Sequence, residues 1–106
     1  MANTFKNYAA ADVGTSASTI LTATTATTLI GVTVANIIST TITVDVYLTI
    51  SSVDYYIVKG AVVPVGGALV PVGGDQKVVL ENGDALKVVS SDATSADVIA
   101  SVLEIT

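Results

Sequence analysis

The chain has 106 residues, one domain's worth, and a net charge of −5. Hydrophobic residues make up 51% of it and charged residues only 12%, against about 25% charged in an ordinary soluble domain. With no cysteine and no histidine, it excludes disulfides, thiolate and imidazole metal sites, and the commonest catalytic base and nucleophile.

A folded monomer of this size exposes roughly 5,500 Å², so the chain holds more apolar material than a small domain easily hides. The surplus points to a subunit interface. It does not point to a membrane, because Thr, Ser, Gly and Asp break up every apolar run before the 18 or so residues that a spanning helix needs. The start "MANTFKNYAAADVG" has no basic segment leading into an apolar core, so no signal peptide is expected and the chain reads as made in a cytosol. Its lysines, Lys6, Lys59, Lys77 and Lys87, are scattered and there is no arginine. Nucleic acid is therefore not an expected partner, since phosphates need clustered cations.

In chain order, Met1 to Asn7 reads as an extended N-terminal arm that would pair with a neighbour's edge strand, or as a frayed terminus. Strands are predicted near Tyr8–Val13, Thr19–Thr22 and Thr28–Ala35, where β-branched residues concentrate. "TITVDVYLTI", Thr41 to Ile50, is the clearest: Ile42, Val44, Val46, Leu48 and Ile50 share one face and Thr41, Thr43, Asp45, Tyr47 and Thr49 the other. Further strands are expected at Val53–Lys59, Leu69–Val72, Lys77–Leu80, Ala85–Val89 and Asp97–Ile105.

The doublet in "VPVGGALVPVGG" lacks the Gly-Lys-Ser/Thr ending of a phosphate loop and is too short for an elastic tract. Pro64 and Pro71 belong at edges or strand ends, and the glycine pairs supply reversals. The segment is thus two turns flanking a short edge strand. "VVLENGDALKVV" reads as a hairpin centred on Asn82-Gly83. Many short strands with frequent turns give an all-β fold: an antiparallel β-sandwich or jelly roll, as a single domain over residues 1–106.

The last strand, "DVIASVLEIT", is apolar on both sides. Ile99, Leu103 and Ile105 share one face, and Val98, Ala100 and Val102 the other. A domain this small has little to cover a second face with, so a neighbouring subunit is expected there. Val79 and Val89 show the same two-sided character. Tyr47 stands on the polar side of its strand, where its ring would be exposed, and Tyr55 and Tyr56 must point oppositely. Phe5, Tyr47, Tyr55, Tyr56, Val79, Val89, Val98 and Val102 are therefore the candidate residues for contacts with other subunits.

Catalytic constellations are not evident. Serine without histidine would need a lysine base, and no Ser-x-x-Lys motif occurs. The carboxylates sit singly beside Ser, Thr or Gly, as turn-forming Asp does. "SSDATSAD" places Asp92 and Asp97 in an oxygen-rich loop but lacks the ligand pattern of an EF-hand, leaving only a loose loop calcium site as an alternative. No catalytic residue, metal or cofactor is expected.

The segments "SSVDYYIVKGAVVPVGGALV", "GGDQKVVLENGDALKV" and "DVIASVLEIT" resemble small virion structural proteins of tailed bacteriophages, notably phages of aquatic bacteria including cyanobacteria. The resemblance runs over nearly the whole chain, and "VPVGGALVPVGGDQKVVLENGD" is its most specific part. It implies a non-enzymatic particle component assembled in the host cytoplasm. One expectation is a capsid cement or decoration protein that self-associates, as a homotrimer, and bridges major capsid protein subunits. The alternatives are a tail, fibre or baseplate component and, from another class, a carbohydrate-binding module using exposed tyrosines.

Overall fold

In the computed structural model, the described residues, 3–73 and 77–105, form nine strands and no helix. They are β1 (Asn3–Val13), β2 (Ser18–Thr22), β3 (Ala26–Asn36), β4 (Ile42–Ile50), β5 (Val53–Val63), β6 (Ala68–Val72), β7 (Val78–Leu80), β8 (Ala85–Ser90) and β9 (Ala96–Ile105). The pairing is nested. The β4–β5 hairpin sits innermost, then β3 pairs β6, β2 pairs β8 and β1 pairs β9, all antiparallel. This long double ribbon is rolled over, and β3 with β9 and β4 with β8 zip the coils together.

Two sheets result. Sheet I runs β1-β9-β3-β6, with β7 also on β3, and sheet II runs β2-β8-β4-β5. Apart from the short β7, that is the strand order of a jelly roll, so the expected all-β sandwich is the fold. Its core is the apolar inner face of each sheet. Leu29, Val32 and Val102 from sheet I and Val46, Leu86 and Val88 from sheet II are wholly buried.

All nine expected strands are present, but three readings are corrected. First, "ENGD" is a tight turn and not a hairpin: β7 joins sheet I through β3, and β8 joins sheet II. A type I′ hairpin turn needs positive φ at both central residues. Here Gly83 has it (φ 99) and Asn82 does not. The turn is closed by Asp84 N donating to Glu81 O at 2.9 Å, and Gly83 N and Ala23 N bond it to the end of β2, each at 2.8 Å.

Second, residues 3–7 are not a free arm. They pair residue for residue with the end of β9, from Asn3↔Ile105 to Asn7↔Ser101. Met1 and Ala2 lie outside the described residues.

Third, Val98 and Val102 face the core, so they are not surface contacts. The outward face of β9 is that of Ile99, Leu103 and Ile105, which it shares with Ser101 and Asp97.

The Pro-Gly doublet does what its turn chemistry requires. Gly67 N donates to Pro64 O at 2.9 Å, and Gly66 at φ +73 takes the position of a type II turn that requires positive φ. Pro71 lies in β6 at the edge of sheet I, where a missing amide is tolerated. The second expected turn, at Gly73-Gly74, falls on residues 74–76, which lie outside the described residues.

Candidate functional site

An acid, a phenol and an amine meet where β1 pairs the end of β9. Thr4, Lys6 and Tyr8 alternate along the inner side of β1, opposite Glu104, Val102 and Ala100 of β9. The Tyr8 hydroxyl donates to Glu104 Oε2, and Lys6 Nζ lies 3.3 Å from Oε1. The Tyr8 hydrogen bond, aided by Lys6 and opposed by burial, holds the Glu104 carboxyl below its usual value, and the same bond pushes the Tyr8 phenol up. This is a carboxylate at the end of the sandwich whose two oxygens are each satisfied, one by Tyr8 and one by Lys6.

The oxygen-rich loop after β8 is wired to backbone. Ser95 Oγ donates to Asp92 O at 2.7 Å, Ser91 Oγ accepts from Thr43 N at 3.0 Å, and Ser91 N donates to Thr43 O at 2.9 Å. Asp97 Oδ1 accepts from Asp12 N at 3.0 Å, while Asp92 Oδ2 accepts from the Thr40 hydroxyl at 3.4 Å. The two carboxylates thus serve different partners. Among the described residues no group of three or more acidic, histidine or cysteine side chains is placed to hold a metal ion.

Tyr55 and Tyr56 point to opposite faces, Tyr55 opposite Leu48 and Tyr56 opposite Tyr47. Tyr47 departs from its expected exposure: it is only 8% exposed, because the Tyr56 ring leans on it at 4.9 Å between centroids. Burial, with Asp54 next in weight, pushes the Tyr47 phenol up. Lys59 Nζ sits 4.6 Å from the centre of the Tyr56 ring. The cluster is a self-packed aromatic pair with a cation on it, which leaves no flat sugar platform. Val89 is half-buried on sheet II.

The outstanding surface is the outer face of sheet I. Strand register arranges it in rows. Phe5, Leu103, Thr28 and Val79 lie side by side across β1, β9, β3 and β7. The next row, Asn7, Ser101 and Gly31, is small. Beyond it come Ala9, Ile99 and Thr33, with Val70 beside Thr33 at a bulge. Phe5 is 75% exposed, and Ile99, Val70 and Val79 are each more than half exposed.

Beneath the Phe5 row lies an open groove of about 260 Å³ bounded by Phe5, Lys6, Asn7, Ile30, Ser101 and Val102. Ile30, at its side, lies at the bulge where the β3–β9 register shifts between Leu29 and Gly31. From Ile105 up to Ile99 the outward positions of β1, β9 and β3 carry no ionisable side chain, since Lys6 turns inward to Glu104, and the exposed Lys77 precedes β7 at the margin.

Of the residues singled out from sequence, this face collects Phe5 and Val79. Ile30, Val70 and Leu103 were not among the candidates. Leu103 was legible from its place beside Ser101 on alternate positions, whereas the bulge that turns out Ile30 has no local signal. No protein-family model matches this sequence, and no curated protein matches it either.

Proposed function

We propose that this chain is a non-enzymatic structural protein of a tailed-phage virion, a cement or decoration protein that bridges major capsid protein subunits and stabilises the head. The observation that carries the proposal is the uncharged, apolar outer face of sheet I, a surface made to be covered by protein. Isolated domains rarely leave apolar patches of several hundred Å² open unless something binds there. The jelly roll suits the role, since such double sheets recur in viral capsid domains.

Its place in a virion rests on the resemblance of "VPVGGALVPVGGDQKVVLENGD" and its neighbouring segments to small phage structural proteins, which leaves head and tail both open. Many modest contacts repeated by symmetry would clamp a shell without any one being strong. No cofactor, nucleic acid or membrane enters this reading, and the virion, assembled in host cytoplasm, is the proposed location.

The test is a cryo-electron density map of intact particles, searched for a nine-stranded sandwich of 45 × 26 × 22 Å. A regular lattice of such density on the head is the expected result. Density confined to the tail, fibres or baseplate would overturn the cement role and replace it with a tail component.

A further inference from the structure

We infer that the outer face of sheet I is the contact between two copies of this chain, packed face to face about a two-fold axis that crosses the strands at Ser101. The inference rests on the proposed function only for the premise that this face is covered; it names what covers it.

Charge is the first argument. The chain carries a net −5, so two copies repel unless they meet through a neutral surface. The outer face of sheet II carries Asp45, Asp54, Lys59 and Lys87, whereas the outward positions of β1, β9 and β3 between Ile105 and Ile99 are uncharged, with Asp97 and Asp12 at one end and Lys77 at the β7 margin.

Area is the second. Strands about 4.8 Å apart and residues about 3.4 Å long give four strands by nine residues, roughly 590 Å² per copy. Both copies together bury about 1,200 Å², above the roughly 1,000 Å² that a specific interface needs.

Shape and charge then select the orientation. Antiparallel strands across the contact send the two Asp97 carboxylates to opposite ends; parallel strands would stack them. The antiparallel choice lays the Phe5 row of one copy over the Ala9 row of the other. Phe5 then meets Ala9, Leu103 meets Ile99 and Val79 meets Val70, with the small Asn7-Ser101-Gly31 row on the axis. Phe5 opposes the small Ala9, Leu103 and Val79 meet aliphatic side chains of similar size, and the groove beside Phe5 takes up the remainder. An isologous contact of this kind closes as a dimer, in place of the homotrimer expected from sequence.

The test is sedimentation of the full chain at tens of micromolar, with circular dichroism to confirm that each variant folds. Wild type is expected at twice the monomer mass. Leu103→Lys is expected to be monomeric, and Val79→Lys to bind at least about tenfold more weakly. Thr43→Lys, on the opposite sheet, leaves the dimer intact. Adding Ile99→Glu to Leu103→Lys restores it, because the two new charges meet across the axis.

A wild-type monomer or trimer overturns the inference. So does a dimer indifferent to Val79→Lys, which would put the contact on the β1 edge, or a double variant as monomeric as Leu103→Lys alone. Particle density separates the two proposals. Single copies on the head sink the dimer alone, while a solution dimer missing from the virion sinks the cement role alone.

Discussion

Asn36 closes β3 and is nearly buried. Its Nδ2 donates to Thr40 O at 2.9 Å and to Val63 O at 3.1 Å, and its Oδ1 accepts from Ile38 N at 3.0 Å. One side chain therefore ties the end of sheet I to the β3–β4 connection and to the last residue of β5 in sheet II. Each such bond is worth about 1 kcal/mol net, so Asn36→Ala is expected to cost about 3 kcal/mol. With an unfolding entropy of about 2.1 cal/mol/K per residue, a chain of this length should melt about 13 °C lower.

Asn36→Asp is the sharper variant. It keeps the size and the acceptor but sets a carboxylate oxygen against two carbonyls, so it should fall below alanine at pH 7. It should recover in part below about pH 4, where the protonated acid can donate again. Calorimetry and urea titration read both variants, with the midpoint shifted and the slope unchanged. An alanine variant melting within about 3 °C of wild type, or an aspartate variant as stable as wild type at pH 7, would refute this account of the junction.

The β4–β5 turn holds Ser51 at φ 52 and Ser52 at φ 67, a type I′ geometry that Asn-Gly adopts more readily. The double change Ser51→Asn, Ser52→Gly should therefore stabilise by about 1 kcal/mol, read as a raised urea midpoint. Glu104 has its folded pKa below the ordinary 4.5, so its contribution is present above pH 4.5 and lost as pH falls through the lower folded value. Tyr8→Phe should accordingly lower the urea midpoint at pH 7, and the gap to wild type should narrow below pH 4.5. Val102, 0% exposed, should not tolerate a buried cation: Val102→Lys is expected to give no cooperative melt, whereas the neighbouring Leu103→Lys folds.

Where each strand lies was legible because β-branched alternation is local. Its limits show where local signals fail. The sequence reading of β5 stopped at Lys59, since Lys59-Gly60 breaks the alternation, yet the strand continues to Val63. Gly60 at φ +66 forms a bulge whose amide bonds Asp45 Oδ1 at 2.7 Å, and pairing resumes at Ala61↔Val44. The opening of β1 was missed because Asn3–Asn7 has no apolar face of its own; its partner β9 holds it in the sheet.

The ENGD corner shows the same limit at larger scale, since a turn does not say whether its strands share a sheet. On β9, alternation separated two faces without saying which looks inward. Asp97 and Ser101 mark the outer one, but Glu104 on the inner one obscured that signal, being satisfied there by Tyr8 and Lys6.

The surface area joins these observations. The accessible surface is 5493 Å², close to the roughly 5,500 Å² that a chain of this mass exposes on average. Folding therefore hides no more than an ordinary domain does, although the chain is 51% hydrophobic. The surplus has to appear outside, and it is not spread evenly. Sheet II uses its outer face for a tyrosine pair, two lysines and two aspartates. Sheet I turns Lys6 and Glu104 to its inner side, has Asp97 at one end of its outer face and sets Phe5, Leu103 and Val79 in a row there. A scattered excess would be unremarkable, since most surfaces are more than half apolar. Segregation onto one flat, neutral face concentrates the gain from burial where a second sheet can lie at about 10 Å. Covering that face is the step that the proposed dimer supplies, and it would complete the burial that the composition favours.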